Sequence, residues 1–171
     1  DITPLYHLKE KRLDRASYLL IHTTREALSD ANISAAIKDV PVLLSLGTTL
    51  GGMLSGEIFH KEVIDSGLYR ARVSHLFDYL AHYQAINLFK ELELKGDYSI
   101  LSNACASGTD AIGQAFNAIR SGEYDVAICG GYDVMSEFCF ARFNSLMAIT
   151  PTLCMPFDKK REGLVLGEGA G

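Results

Sequence analysis

The chain has 171 residues, of which 48% are hydrophobic and 22% charged, a composition that supports one sizeable core and excludes intrinsic disorder. Its formal net charge of −5, with no long basic block, argues against nucleic acid as a partner. No stretch approaches the roughly 18 continuous apolar residues of a membrane span, and the opening DITPLYHLKEKR lacks the apolar centre of a signal peptide, so a soluble, cytoplasmic protein is expected.

Residues 12–31 place Leu13, Ala16, Leu20, Ala27, Leu28 and Ala31 along one face, with Lys11, Arg12, Arg15 and Glu26 left for solvent, which predicts an amphipathic helix. DVPVLLSLG is a short apolar run ending in glycine and predicts a buried strand, which GTTLGGM then breaks. Helices are predicted over about 52–65 and about 77–94, each closing near a glycine, Gly67 and Gly96. YSILS predicts the next strand and leads into SNACASGTDAIG. From Ala106 to Arg120 the residues Ile112, Ala115, Phe116 and Ile119 fall at helical spacing, and further alanines make the other faces apolar, so a helix buried nearly all round is expected. DVAICGG predicts another buried strand. The alternation of strands and helices points to an α/β layered fold with parallel strand pairs. Neither an internal repeat nor a linker interrupts it, so one domain or part of one is the economical reading.

The four cysteines, Cys105, Cys129, Cys139 and Cys154, share no C-x-x-C spacing and have no neighbouring histidine, which leaves a zinc site without support. Without an export signal they are expected to be free thiols. The chain begins without Met and stops at LVLGEGAG, which reads as a piece of a longer protein.

Cys105 is the cysteine with particular flanks. It falls at a strand-to-helix junction, where unpaired N–H groups and the positive end of the helix dipole favour a thiolate, the nucleophilic form. Ala104, Ala106, Ser107 and Gly108 keep the approach free of bulk, and the Cys105 N–H is placed to donate to an oxyanion on an attacked carbonyl. The arrangement is a cysteine counterpart of the nucleophile elbow. Taken by itself, an inert thiol packed between helix and sheet is the competing reading.

The wider sequence decides between them. NACASGTDAIGQAFNAIRSGEYDVAICGG, followed by PFDKKREGLVLGEGAG, resembles the β-ketoacyl-acyl carrier protein synthases, the condensing enzymes of fatty acid and polyketide synthesis in the thiolase-like superfamily. The resemblance extends back through LSLGTTLGG to KEKRLDRASYLLIHTTREALSDANI. It implies a thiolase-like layered α/β fold, with helices around a mixed, largely parallel sheet. Residues 1–171 would form the N-terminal synthase domain without the family's first strand and C-terminal half. It also implies a two-step chemistry: acyl transfer from acyl carrier protein to Cys105, then decarboxylative Claisen condensation with malonyl-carrier protein. No cofactor is expected to be bound, since the phosphopantetheine arm belongs to the carrier protein. By the same resemblance Phe143, with Cys139 and Phe140, lines the acyl pocket, and Lys11 and Arg12 contact the carrier protein. A homodimer is implied, with DYSILS as the sheet edge that meets its two-fold mate.

The chain also departs from the family pattern. His7, His22, His60, His75 and His82 all precede Cys105 and match none of the family's catalytic histidines, so the 171 residues alone are expected not to condense. Asn103 stands where elongating enzymes often carry Thr, and Met147 where they often carry Arg. Asp158 and Arg161 are expected to form an ion pair that orders a turn, and the glycines of GEGAG to let backbone pack closely. Two alternatives remain open: a non-catalytic synthase-like partner subunit of a polyketide-type system, against which Cys105 argues, and a thiolase-superfamily enzyme using coenzyme A substrates.

Overall fold

The computed structural model describes residues 13–171, so Lys11 and Arg12 lie outside the described residues. In chain order the regular elements are α1 (Arg15–Asp30), β1 (Pro41–Gly47), α2 (Met53–Ser66), α3 (Val73–Tyr79), α4 (Ala81–Leu92), β2 (Lys95–Leu101), α5 (Ser107–Arg120), β3 (Val126–Asp133), α6 (Glu137–Ser145) and β4 (Gly169–Ala170). The sheet order is β2-β1-β3-β4. β1 pairs in parallel with both neighbours and β4 closes antiparallel on β3, giving the mixed, largely parallel sheet that the alternation implied.

β1 is the centre of the molecule, buried from Val42 to Gly47 as a parallel strand covered on both faces must be. Its side chains alternate between two layers. Val42, Leu44 and Leu46 enter the main core with Leu20, Ile21 and Leu28 of α1 and Ala85 and Leu88 of α4. On the opposite face, Ser45 donates its hydroxyl to the Ala111 carbonyl of α5 (2.9 Å) and to Gln114 Oε1 (2.7 Å). α1 begins where Asp14 accepts the Ser17 N–H (3.2 Å), an aspartate N-cap.

Besides β3, which over the DVAICGG run is half-buried with Cys129 exposed rather than the buried strand expected, three local expectations change. The helix predicted over 77–94 is two helices, α3 and α4, separated at Leu80, whose backbone is extended (φ −77°, ψ 119°). Tertiary contacts override helix propensity here. Gly52 presses so closely on the break that an added Cβ would lie 1.9 Å from the Asp78 carbonyl oxygen, and the buried Gln84 amide donates to that same carbonyl (2.7 Å). α4 ends not near Gly96 but at Glu93, in the left-handed region at φ 55°, and β2 starts earlier, taking Gly96 into the strand.

The third change concerns α5. Its buried residues are Ser107, Ala111, Ala115 and Ala118, whereas Ile112, Phe116 and Ile119 are 56%, 60% and 42% exposed. Small side chains set the contact with the sheet because the helix lies too close to β1 and β3 for larger ones, so the big apolar residues face away. Periodicity found the helix and its apolar residues but chose the wrong stripe.

Candidate active site

The site is built where β2 hands over to α5. A tight turn of 3₁₀ helix, Ala104–Ala106, lies between the strand and the helix, with the exposed Cys105 at its middle. Local hydrogen bonds fix this turn. The Asn103 N–H donates to Ser107 Oγ (2.8 Å), Ser107 Oγ donates to the Ala104 carbonyl (2.7 Å), and the Ala106 N–H donates to the Asn103 carbonyl (3.0 Å). The Asn103 side chain reaches one turn into α5 to Asp110 Oδ2 (2.8 Å). Ala104 is held at φ 47°, a left-handed conformation that costs a residue with a Cβ about 1–2 kcal/mol. Strain of this kind persists only where surrounding contacts over-determine it.

The position of α5 follows from a glycine. A Cβ on Gly47, the last residue of β1, would lie 2.3 Å from the Ser107 carbonyl carbon and oxygen, so only glycine lets the helix start sit on the strand end. Cys105 therefore lies at the C-terminal edge of the parallel strands, where open α/β sheets place their ligands. A cleft of about 330 Å³ opens there, lined by Cys105 and Ala104 from the turn, Gly47 and Thr48 after β1, Asp133 at the end of β3, and Gly169 to Gly171. As the second residue of its turn, Cys105 carries one of the first N–H groups, which have no intrahelical acceptor.

Opposite the turn stands a carboxylate. Asp133 Oδ1 accepts from the Thr48 hydroxyl (2.7 Å) and from the N–H groups of Thr49 (3.2 Å), Leu50 (2.7 Å) and Gly51 (3.2 Å). It thereby shapes the GTTLGG turn that leads into α2. Thr49 extends its own hydroxyl to the Ala104 carbonyl (3.2 Å). Next to Asp133, Tyr132 is buried, and its hydroxyl contacts the Ala81 carbonyl (3.3 Å) and Gln84 Oε1 (3.4 Å). Burial, with the charges of Asp14 and Asp133, pushes that phenol well above its ordinary pKa and keeps it a donor.

The other residues singled out from sequence lie elsewhere. Cys139, Phe140 and Phe143 are all on α6, and none lines the Cys105 cleft. Cys139 is buried and its N–H donates to Ser136 Oγ (3.1 Å); burial, followed by the charges of Asp133 and Glu57, pushes its thiol up. Phe140 is 51% exposed and Phe143 half-buried. Cys129 and Cys154 are free and exposed, as is Cys105. A larger cavity, about 720 Å³, lies among residues 148–165 and contains Cys154, Phe157 and Arg161 but no part of the Cys105 turn. Arg161 does not pair with the Asp158 carboxylate. Its guanidinium donates to the Asp158 main-chain carbonyl (2.9 Å), while Asp158 Oδ1 accepts the Lys160 N–H (2.7 Å), so the turn is ordered by bonds between side chain and main chain rather than by an ion pair.

Against this geometry, the family described as "Beta-ketoacyl synthase, N-terminal domain" matches residues 4–171. The chain belongs to the β-ketoacyl synthase family. It is 31% identical over 168 residues to a Staphylococcus aureus protein named 3-oxoacyl-[acyl-carrier-protein] synthase 2, covering 94% of this chain and 42% of the relative. Nodulation protein E of Rhizobium sp. (strain N33) is 32% identical over 176 residues, covering 98% of this chain and 43% of that protein. Among solved structures, the ishigamide ketosynthase/chain length factor superposes with a TM-score of 0.86 at 28% identity, covering 92% of this chain and 40% of that one. The chain thus spans about two fifths of the length of these synthase relatives. The thiolase-like α/β layering expected from the resemblance is the fold observed. Among the described residues no helix is long and apolar enough to cross a membrane.

Reasoning from sequence missed Thr49 and Asp133 as parts of this candidate site, and gave Ser107 only the role of a small residue rather than that of a hydrogen-bonding one. The signals were present: GTT and GGYD both follow apolar runs whose carboxyl ends must meet at one edge of a parallel sheet.

Proposed function

We propose that this chain is the nucleophile-bearing part of a condensing acyltransferase, a 3-oxoacyl-[acyl carrier protein] synthase, and that Cys105 accepts the acyl group. The observation that carries this reading is the exposed Cys105 on a hydrogen-bonded turn at the strand edge, lining the cleft with an N–H that, as the second of its turn, has no acceptor within it. The Cys105 sulfur adds to the thioester carbonyl of an acyl group carried by acyl carrier protein, and the Cys105 N–H donates to the oxyanion. The bond to the phosphopantetheine sulfur then breaks, and that sulfur leaves as a thiol with the proton Cys105 gave up. In the complete enzyme a malonyl thioester loses carbon dioxide, its electron pair forms the new carbon–carbon bond to the acyl carbonyl, and Cys105 is released.

Several parts of this reading extend beyond the described residues. Lys11 and Arg12 remain its carrier-protein contacts. The phosphopantetheine arm arrives with the substrate, and no cofactor resident in the chain takes part. The histidines that polarise the malonyl group belong to sequence the family carries downstream, so the 171 residues alone are expected not to condense. β2 is the outer strand of the sheet among the described residues, which supports a second copy of the chain pairing there in a homodimer.

The test is intact mass with peptide mapping, after mixing the full-length protein with acyl carrier proteins loaded with several acyl lengths. An acyl adduct mapped to Cys105 and lost in Cys105→Ala is the expected result. A folded protein that takes no acyl group at Cys105 from any carrier supports instead the non-catalytic partner subunit, the role of a chain length factor beside a ketosynthase.

A further inference from the structure

The turn that bears Cys105 is tied to the rest of the molecule through one hydroxyl that local sequence does not explain. Thr49 lies beyond the end of β1, more than fifty positions before the cysteine, yet its Oγ1 donates to the Ala104 carbonyl at 3.2 Å. The position of Thr49 is itself fixed. Asp133 Oδ1 accepts its N–H (3.2 Å) together with the N–H groups of Leu50 and Gly51, and Thr48 Oγ1 takes the Gly51 N–H as well (2.8 Å).

The carbonyl that Thr49 holds belongs to the Ala104–Cys105 peptide, and the described chain contains no cis peptide bond. In a planar trans peptide the carbonyl oxygen and the amide hydrogen point in opposite directions, so fixing one fixes the other. Fixing the Ala104 oxygen therefore fixes the direction of the Cys105 N–H. Ser107 holds the same oxygen from within the turn, through both its N–H and its Oγ, but it moves with the turn. Thr49 holds it from the sheet edge, through a second element anchored on β3.

We propose that Thr49 is a positioning residue that orients the Cys105 N–H toward the reacting carbonyl, with Asp133 holding Thr49 in register. This inference rests on the reading of Cys105 as the acyl acceptor. It differs from a structural role in what it moves. The N–H matters where negative charge develops on a carbonyl oxygen, as in acyl transfer, and not in a simple displacement at a saturated carbon.

The experiment compares the full-length protein with Thr49→Val, which keeps the side-chain shape without the hydroxyl, and Thr49→Ser, which keeps the hydroxyl. Two rates are measured on each: acylation of Cys105 by acyl carrier protein in a single turnover, and alkylation of Cys105 by iodoacetamide, which develops no oxyanion. Removing an oxyanion donor outright costs about 10²–10³-fold, and misorienting one costs less, so Thr49→Val is expected to slow acylation about 10-fold. Its alkylation is expected to stay within about twofold of the parent, and Thr49→Ser to recover most of the acylation rate, since only the hydroxyl matters. Acylation unchanged in Thr49→Val overturns the proposal. So does an equal loss in both reactions, which marks a disturbed turn rather than a misdirected N–H, and so does failure of Thr49→Ser to recover the rate. If the parent protein is alkylated at Cys105 but never acylated there, the acyl-acceptor reading fails and this inference falls with it.

Discussion

The amino ends of α5 and α6 both open near the sheet edge, and their N–H groups are treated differently. At α6 four N–H groups of the entry have fixed acceptors: Met135 N–H on Glu168 (3.2 Å), Glu137 and Phe138 N–H on Glu57 (3.1 and 2.5 Å), and Cys139 N–H on Ser136 Oγ (3.1 Å). Carboxylates at a helix start neutralise the positive end of its dipole, and the cysteine held there is buried with its thiol pushed up. At α5 the local acceptors are spent on the turn itself, through Ser107 Oγ and the Ala104 and Asn103 carbonyls, the first-turn carboxylate Asp110 takes the Asn103 amide, and the exposed Cys105 lines a cleft. One cysteine sits at a closed helix end and one at an open end. Closure contributes stability, and openness leaves donors for an incoming anion.

The largest effect comes from disturbing the seat of the open end. In Gly47→Ala the new methyl meets main-chain atoms of Ser107 and Gly108 at 2.3 to 2.5 Å, and backbone cannot swing aside as a flexible side chain can. Overpacking of this kind costs about 1–3 kcal/mol or more. The variant is expected to lose stability in chemical denaturation and to lose Cys105 acylation together. A variant with unchanged stability and unchanged acylation means that the strand end does not set the position of α5.

A smaller effect tests the closed end. Glu57→Ala leaves two N–H groups at the start of α6 to water, and Ser136→Ala removes the side-chain cap. Each is expected to cost about 1 kcal/mol, a fall in Tm of about 2–4 °C for a chain of this size, with acylation of Cys105 by carrier protein close to the parent rate. Loss of acylation without loss of Tm in either variant breaks the distinction between the two ends.

The contrast also separates what the sequence made legible from what it did not. Cys105 could be singled out as the candidate because its surroundings are contiguous: a strand, small residues and an amphipathic run in SNACASGTDAIG, joined to the family resemblance. The order of strands and helices was legible for the same reason, since periodicity is local. What stayed hidden depends on approach between distant segments. The break at Leu80 needs Gly52 and Gln84 in place, and the exposed side of α5 depends on how closely alanines lie on β1. Asp133 looks like an ordinary aspartate after a strand until three N–H groups from residues 49–51 are seen to share its one oxygen. The expected Asp158 and Arg161 ion pair failed in the same way, because proximity in sequence does not choose between a carboxylate and a backbone carbonyl.

The smallest expected effect concerns the outermost acceptor of the closed end. Glu168 accepts the Met135 N–H while Arg15 grips both its oxygens through Nε (2.9 Å each), tying the start of α1 to the entry of α6. The Arg15 hydrogen bond lowers the Glu168 pKa below the ordinary carboxylate value, and the Met135 N–H and the Arg15 charge act in the same direction against partial desolvation. A carboxyl whose folded pKa is depressed adds stability that is fully present above its unfolded pKa, about 4.3, and that disappears as pH falls through the folded value. Both side chains are about a quarter exposed, so solvent screening keeps the contribution below about 1 kcal/mol. Glu168→Gln keeps an acceptor for Met135 and removes the charge. Its Tm is expected to lie slightly below the parent's from about pH 5 to pH 7, and the gap to close as pH falls below about 4. A gap that stays constant down to pH 3 shows that the charge on Glu168 does not stabilise this end, and that the neutral hydrogen bond to Met135 is enough to close it.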